Sequence, residues 1–466
     1  MNFDLIVLGS GPGGYVAAIR ASQLGMKVAI VEREELGGIC LNWGCIPTKA
    51  LLKSAQVFNY INHAEDYGIK IGKATADFGS MVGRSRGVAD GMSKGVTFLM
   101  KKNKITVIKG TGKLARGKKL VVTDEKGSKK EYSATSIIIA TGARAKALPG
   151  IDIDGKKIIG YREAMTLKKQ PKRMLVIGAG AIGVEFAYFY NSIGTEVTVV
   201  EYMENGLLPR EDKDVSKELN KVFKKAGVNV LGNTAVESVD TSGKSIKVKV
   251  KDRKTEKSET ITCDIVLSAA GIQPNTENIG LDILGIKTDK RGFIEVNDYC
   301  QTNIAGIYAI GDVLPTPALA HVASAEGILC VEKISGMDVH PINYGTVPSC
   351  TYCSPEVASM GITEAQAKEQ GLDIKVGKFP FSASGKASAA GAKEGFVKMI
   401  YDAKYGELLG AHMIGANVTE MIAEMVAAKN LETTGHEILK AIHPHPTMSE
   451  AVMEATAVAY GEVIHL

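Results

Sequence analysis

The stretch DLIVLGSGPGGYVAAIRASQLGMKVAIVE, Asp4 to Glu32, decides the fold. Asp4 to Leu8 is an apolar, β-branched run that reads as a strand. It leads directly into Gly9-Ser10-Gly11-Pro12-Gly13-Gly14, and a helical pattern then continues through Arg20, Leu24 and Gly25. Lys27 to Val31 reads as a second strand, closed by Glu32. Strand, GxGxxG turn, helix, strand and terminal acid make up a dinucleotide-binding βαβ unit. Gly9, Gly11 and Gly14 let the backbone approach a pyrophosphate at a helix N-terminus, and Glu32 accepts the ribose hydroxyls.

The same device recurs. Arg173 to Ile177 reads as a strand, Gly178-Ala179-Gly180-Ala181-Ile182-Gly183 as the turn, and Glu196 to Val200 as the next strand, closed by Glu201. The step from Gly9 to Glu32 equals that from Gly178 to Glu201, so Gly178, Gly180, Gly183 and Glu201 are expected to hold a second dinucleotide in a separate domain. A 2′-phosphorylated nucleotide would need an arginine near the end of the second strand, whereas Glu201-Tyr202-Met203-Glu204 offers only negative or neutral groups. NAD or FAD fits both sites and NADP neither.

Ser136 to Gly142 and Cys263 to Gly271 read as buried strands, each ending in a turn of small residues. They flank the second fingerprint. The second domain is therefore expected to be inserted into the first, with the chain leaving near Thr141 and returning near Gly271. Gly306 to Asp312 reads as a further strand; its terminal acid suits a polyol hydroxyl or, as well, a simple turn.

At 466 residues the chain is too long for one core. Lys+Arg of 56 against Asp+Glu of 51, with no dense basic run, argues against nucleic acid as a partner. No segment has the apolar length of a membrane span, and the beginning MNFDLIVLGSGPGG reads as a strand and not a signal peptide, so a cytoplasmic protein is expected. Seven cysteines in so long a chain do not resemble a secreted disulfide scaffold.

Two of those cysteines, Cys40 and Cys45, lie in GGICLNWGCIPTK, Gly37 to Lys49. Three chemistries suit such a pair. Zinc would need two more ligands, and no nearby histidine or cysteine suggests them. A structural staple over four intervening residues would close a very small loop and stabilise little. A redox disulfide is favoured by the position at the start of an expected helix, Pro47 to Tyr60, where backbone N–H groups favour a thiolate.

GGICLNWGCIPTKALL, the two fingerprints, Ala140-Thr141-Gly142, Gly311-Asp312 and His443-Pro444-His445-Pro446-Thr447-Met448-Ser449-Glu450 together resemble the dihydrolipoamide dehydrogenases, the E3 components of 2-oxoacid dehydrogenase and glycine cleavage systems, among the flavin-dependent disulfide reductases. The resemblance spans essentially the whole chain, in the family's order. It implies an α/β fold: two Rossmann-like domains, for FAD and NAD, and an α+β C-terminal dimerisation domain. The segments would be 1–142 and 271–340 for FAD, 143–270 for NAD, and 341–466 for a homodimer interface. FAD would occupy the first fingerprint, with Glu32 on the adenosine ribose, Asp312 near the ribityl chain, and Thr141, Gly142, Gly271 and Ala320 lining the cofactor. NAD would take the second fingerprint, with Glu201 on its ribose.

The resemblance further implies that Cys40 is the interchange thiol and Cys45 the charge-transfer thiolate of a redox disulfide. Lys49 and Glu185 match an ion pair beside the flavin. His445, which without the cysteines reads more readily as a turn histidine, would be the acid–base catalyst, oriented by Glu450 and reaching the disulfide across the dimer. Dihydrolipoamide must lose a proton before its sulfur can attack, and histidine titrates in the useful range. No metal is implied. The chain carries no lipoyl domain, so the lipoyl group must arrive on an acyltransferase core or a glycine cleavage carrier protein. Relatives that use NADP would need arginines after Glu201. Mercuric reductases typically add a C-terminal cysteine pair, which Gly461 to Leu466 lacks.

The chain departs from the family's pattern at Cys353-Ser354, where many relatives have Thr-His. Cys350 and Cys353 are expected as buried thiols on the first strand of the dimerisation domain, and His321 receives no role. Trp43, the one tryptophan, lies between the cysteines and is expected to be quenched by a flavin. Gly395 to Tyr401 and Glu407 to Met413 alternate in polarity around Tyr405-Gly406 and read as a hairpin, followed by an amphipathic helix from Val418 to Lys429. Surface methionines in this third of the chain would suit a homodimer interface.

Overall fold

Strand Asn2–Leu8 lies at the centre of a parallel sheet because its apolar run has no polar face to present to water. In the computed structural model, which describes residues 2–466, it pairs in parallel with Val28–Glu32 on one side and Lys129–Ile139 on the other, with Val7 opposite both Ile30 and Ile138. Thr106–Lys109 extends one edge and Ile307–Ala309 pairs with the end of Lys129–Ile139. The antiparallel strands Thr111–Ala115 and Lys119–Thr123 complete seven. Helix Pro12–Gln23 covers one face, and helix Ala320–Ile334 packs against it so closely that a Cβ on Gly13 would come 2.8 Å from the Ala323 carbonyl oxygen.

The chain forms two compact units. One comprises the residues up to Leu51, Gly79–Lys146 and Gly271–Ile342; the other comprises Leu52–Phe78, Ala147–Ala270 and Asn343–Leu466. The second unit contains a five-stranded parallel sheet ordered Asn229–Leu231, Glu196–Val200, Arg173–Ile177, Ile265–Ser268, Ile158–Ile159, and a three-stranded antiparallel sheet, Thr234–Asp240, Ile246–Asp252, Ser258–Cys263. It also contains a five-stranded antiparallel sheet ordered Ser349–Thr351, Glu356–Gly361, Leu408–Gly415, Phe396–Asp402, Ile374–Pro380. Helices Val418–Asn430 and Glu450–Tyr460 pack on this last sheet.

The strands Arg173–Ile177 and Glu196–Val200 and the C-terminal hairpin stand where the sequence places them. The strand that leads into the small-residue turn ends at Ile139, as expected, and Thr141 in that turn is tied to Asn275: its Oγ1 donates to the Asn275 carbonyl at 2.8 Å and its own carbonyl accepts from Asn275 Nδ2 at 3.0 Å. Other elements differ. The strand expected to reach Asp312 stops at Ala309, and Gly311–Val313 is a 3₁₀ turn. The methionines of the C-terminal third are not at the surface: Met360, Met399, Met413, Met421, Met425 and Met448 are buried between sheet and helices, where flexible thioethers fill the space.

Candidate functional site

The two fingerprint turns have the same construction. Gly9 (φ +105°) would put a Cβ 2.2 Å from the Ala140 carbonyl oxygen, and Gly178 (φ +97°) would put one 2.6 Å from that of Ala269. Each first glycine is therefore imposed by the neighbouring strand. A Cβ on either third glycine, Gly14 or Gly183, would come 2.0 Å from the carbonyl oxygen of the first, so helix and turn pack without a side chain between them. The middle ones, Gly11 and Gly180, face open space.

Helices Pro12–Gln23 and Ala181–Ser192 begin there with no side-chain cap and no acid in the first turn. Their first-turn N–H groups and the helix dipole suit an anionic pyrophosphate. Glu32 closes the first unit: Oε2 accepts from the Ser10 N–H (2.9 Å) and Oγ (2.6 Å), and Oε1 from the N–H groups of Arg33 and Glu34. Glu201 does the same in the second, accepting from the Ala179 and Met203 N–H groups at 2.8 Å each. The residues present fit two dinucleotides.

The cysteine motif is carried directly onto the first turn. Gly38 (φ +61°) lies so close to Gly11 that a Cβ would sit 2.6 Å from its Cα, and the Gly37 N–H donates to the Ser10 carbonyl at 3.1 Å. Cys40 lies in a short helix, Gly38–Trp43, and Cys45 is the first residue of helix Cys45–Asn62, which begins two residues before the expected start. Asn42 ties the short helix down through the carbonyls of Leu36 and Gly38, both at 3.0 Å, and Ser85 Oγ holds the Pro47 carbonyl at 2.8 Å.

The two thiols meet here. The Cys40 thiol is pushed far up: it donates a hydrogen bond to Cys45, it is buried, and the negative charge of Cys45 repels a second one, while Lys49 acts in the opposite direction. Cys40 is thus the protonated, hydrogen-bond-donating thiol of the pair, and Cys45 stands at a helix N-terminus. Trp43, between them in sequence, carries the Arg86 guanidinium 4.2 Å from its ring centre.

Around Asp312, sequence reasoning missed one group. Glu326, fully buried in helix Ala320–Ile334, accepts from the Gly311 N–H at 2.6 Å and from Thr316 Oγ1 at 2.8 Å. It pulls the chain out of strand geometry at Gly311 and so sets where Asp312 stands. Burial pushes the Asp312 carboxyl up. Ala320 begins the same helix; Thr141, Gly142 (φ +68°) and Gly271 (φ +111°) belong to the same unit as Asp312. Lys49 also lies in that unit, on helix Cys45–Asn62.

Glu185, Glu201, His445 and Glu450 lie in the other unit. Glu185 is buried on helix Ala181–Ser192, and its Oε1 accepts from the Tyr352 N–H at 3.0 Å. His445 Nδ1 lies 2.8 Å from Glu450 Oε1, while Glu450 Oε2 accepts from the Thr447 N–H at 2.8 Å. Burial opposes the charge on Glu450, but these two hydrogen bonds outweigh it and hold the carboxyl below its usual range. The ionised carboxylate keeps the proton on Nδ1, so Nε2 carries the free lone pair on a side chain that is 76% exposed. Cys353 is buried but Cys350 only half so, against expectation: the strand Ser349–Thr351 is at the sheet edge, so Cys350 lacks a neighbouring strand on one side.

Residues 3–327 match the pyridine nucleotide-disulphide oxidoreductase family, and residues 347–456 its dimerisation domain. The dihydrolipoyl dehydrogenase of Rhizobium etli is 52% identical over all of this chain and 99% of its own length. That of Zymomonas mobilis is 50% identical over the same shares. Among solved structures, LpdA of Mycobacterium tuberculosis superimposes with a TM-score of 0.90 at 26% identity, covering 97% of this chain and 98% of its own. The HOCl-induced flavoprotein disulfide reductase RclA of Escherichia coli, in its Cu(II) complex, gives 0.87 at 25% identity over 98% and 99%. Among the described residues no helix is long and apolar enough to cross a membrane. The chain belongs to the pyridine nucleotide-disulphide oxidoreductases and, within them, to the dihydrolipoyl dehydrogenases, enzymes that work with FAD and NAD.

Proposed function

We propose that this enzyme oxidises dihydrolipoamide carried on another protein, an acyltransferase core or a glycine cleavage carrier, through Cys40 and Cys45, and that it does so as a homodimer. The observation that carries the reading is the hydrogen-bonded thiol pair set directly on the first fingerprint turn. In the oxidised state the pair is a disulfide. His445 Nε2 takes the proton of one substrate thiol in the active site shared with the partner subunit, and Glu450 holds the ring in the tautomer that can accept it. The substrate thiolate attacks Cys40 Sγ; the Cys40–Cys45 bond breaks and Cys45 leaves as a thiolate. The second substrate thiol then displaces Cys40 from the mixed disulfide, and its proton passes to the departing Cys40 sulfur, which is left as a thiol. Lipoamide departs oxidised, and two electrons remain on the cysteine pair.

The first fingerprint, with Gly9, Gly11, Gly14, Glu32, Thr141, Gly142, Gly271, Asp312 and Ala320, holds FAD; the second, with Gly178, Gly180, Gly183 and Glu201, holds NAD. Held there, FAD would supply a two-electron acceptor for the cysteine pair and a hydride donor for NAD⁺ in the second fingerprint. Lys49 and Glu185 supply charge along that path. The functional division is 1–142 with 271–340, 143–270, and 341–466.

An anaerobic absorbance titration with dihydrolipoamide, then NAD⁺, tests this. A long-wavelength band should appear on reduction and vanish as NADH forms. A flavin untouched by dihydrolipoamide would overturn the substrate assignment.

A further inference from the structure

Glu201-Tyr202-Met203-Glu204, directly after strand Glu196–Val200, includes no arginine, yet the fold brings one to it. Arg253 follows strand Ile246–Asp252 of the three-stranded sheet. Its guanidinium lies 3.8 Å from the centre of the Tyr202 ring. Nη1 donates to the Tyr202 carbonyl at 2.9 Å and to Asn233 Oδ1 at 3.3 Å. The backbone repeats the link: the Arg253 N–H donates to the Asn233 carbonyl at 2.9 Å, and the Asn233 N–H to the Met203 carbonyl at 2.8 Å. Two segments, around Asn233 and Arg253, thus clamp the turn that bears Glu201.

Within this clamp the charges are layered. Glu201 is buried, 8% exposed, with both oxygens committed to backbone N–H groups of the turn. Tyr202 is 58% exposed and Arg253 is exposed beside it. A guanidinium held over an aromatic ring keeps donors available and loses little freedom on meeting a phosphate.

We propose that Arg253 is a specificity-determining residue of the nicotinamide nucleotide site. It positions the Glu201 turn for an unphosphorylated ribose, and it is the cation that a 2′-phosphorylated nucleotide would use once the Glu201 carboxylate is removed. The exclusion of NADP⁺ then rests on Glu201 and not on the lack of an arginine. The inference builds on the assignment of the second fingerprint to NAD.

The test compares kcat/KM for NAD⁺ and NADP⁺ at saturating dihydrolipoamide in Glu201→Ala, Arg253→Ala, Arg253→Lys and the double variant E201A/R253A. Dihydrolipoamide-driven reduction of a dye acceptor, which uses no nicotinamide nucleotide, separates misfolding from lost affinity. R253A should raise KM for NAD⁺ about three- to tenfold with kcat within about twofold, the pattern of a lost positioning contact. R253K should fall between. In E201A the NADP⁺/NAD⁺ ratio should rise about tenfold or more, and the double variant should lose that gain. A gain that survives removal of Arg253, or no gain while KM for NAD⁺ rises, would overturn the inference alone. An E201A protein with unchanged NAD⁺ kinetics would overturn the underlying nucleotide assignment and the inference with it.

Discussion

His445 Nδ1 and Glu450 Oε1 stand 2.8 Å apart, and the carboxylate's other oxygen is engaged by the Thr447 N–H at the same distance. One carboxylate therefore orients the imidazole and closes the loop that presents it. Replacing His445 with Ala should lower kcat/KM for dihydrolipoamide about 10²–10⁴-fold, the range for a lost acid–base group. Glu450→Gln should cost about tenfold or more, through the tautomer. NADH-driven dye reduction, which needs no substrate thiol, should survive in both. An equal loss of that activity would mean the dyad acts on something other than the thiol.

His443 stands in a second pair beside the first. Its Nε2 is 2.9 Å from Glu424 Oε1 and its Nδ1 is 3.1 Å from the Ala441 carbonyl. The Glu424 hydrogen bond raises the imidazole above its usual 6.5, against the effect of burial. Because the folded value is raised, the pair's stabilisation is full below the unfolded pKa and is lost as pH climbs through the folded one. NMR titration of the ring protons should give a midpoint above 6.5, returning toward it in Glu424→Gln. Identical midpoints in the two proteins would show that the contact is not formed.

The cysteines act as a unit, so their losses should not add. Cys40→Ser, Cys45→Ser and the double variant should each lower dihydrolipoamide–NAD⁺ turnover by about 10³-fold or more, and to nearly the same floor. A double variant far below either single one, in steady-state assays with NADH as readout, would mean that each sulfur works alone.

Lys398 is 4% exposed and meets Asp212, 2% exposed, at 2.9 Å, Asp214 at 3.1 Å and Glu364 at 2.7 Å. Desolvation disfavours its charge, yet the three carboxylates raise its pKa. Asp214 and Glu364 are lowered, the first against desolvation by the Lys398 hydrogen bond and the second chiefly by Lys368 and then Lys398. The carboxylates' contribution is present above their unfolded pKa and lost as pH falls through the folded one; that of the lysine is present below about 10.5 and lost above its raised value. Lys398→Met leaves Asp212 buried without its counter-charge and should cost about 3–5 kcal/mol in denaturant unfolding. A cost below about 1 kcal/mol would show that water reaches the cluster.

Both nucleotide units and the cysteine motif are legible in the sequence, and the His445–Glu450 ending becomes so through the family resemblance. In each case the physics is local: a strand, its turn and its acid lie within one contiguous stretch, and Glu450 is five residues from His445. Tertiary structure alone decided the rest. Glu326 reaches Gly311 from a helix, Glu424 reaches His443 from another, Lys398 collects three carboxylates from two segments, and Arg253 closes on a tyrosine fifty-one positions away. None of these side chains belongs to a periodic pattern, and a charged residue in a list gives no sign of what it will face. One strand end was lost for the same reason: Ala309 marks where a buried Glu326 offers the backbone a better partner than the next strand does.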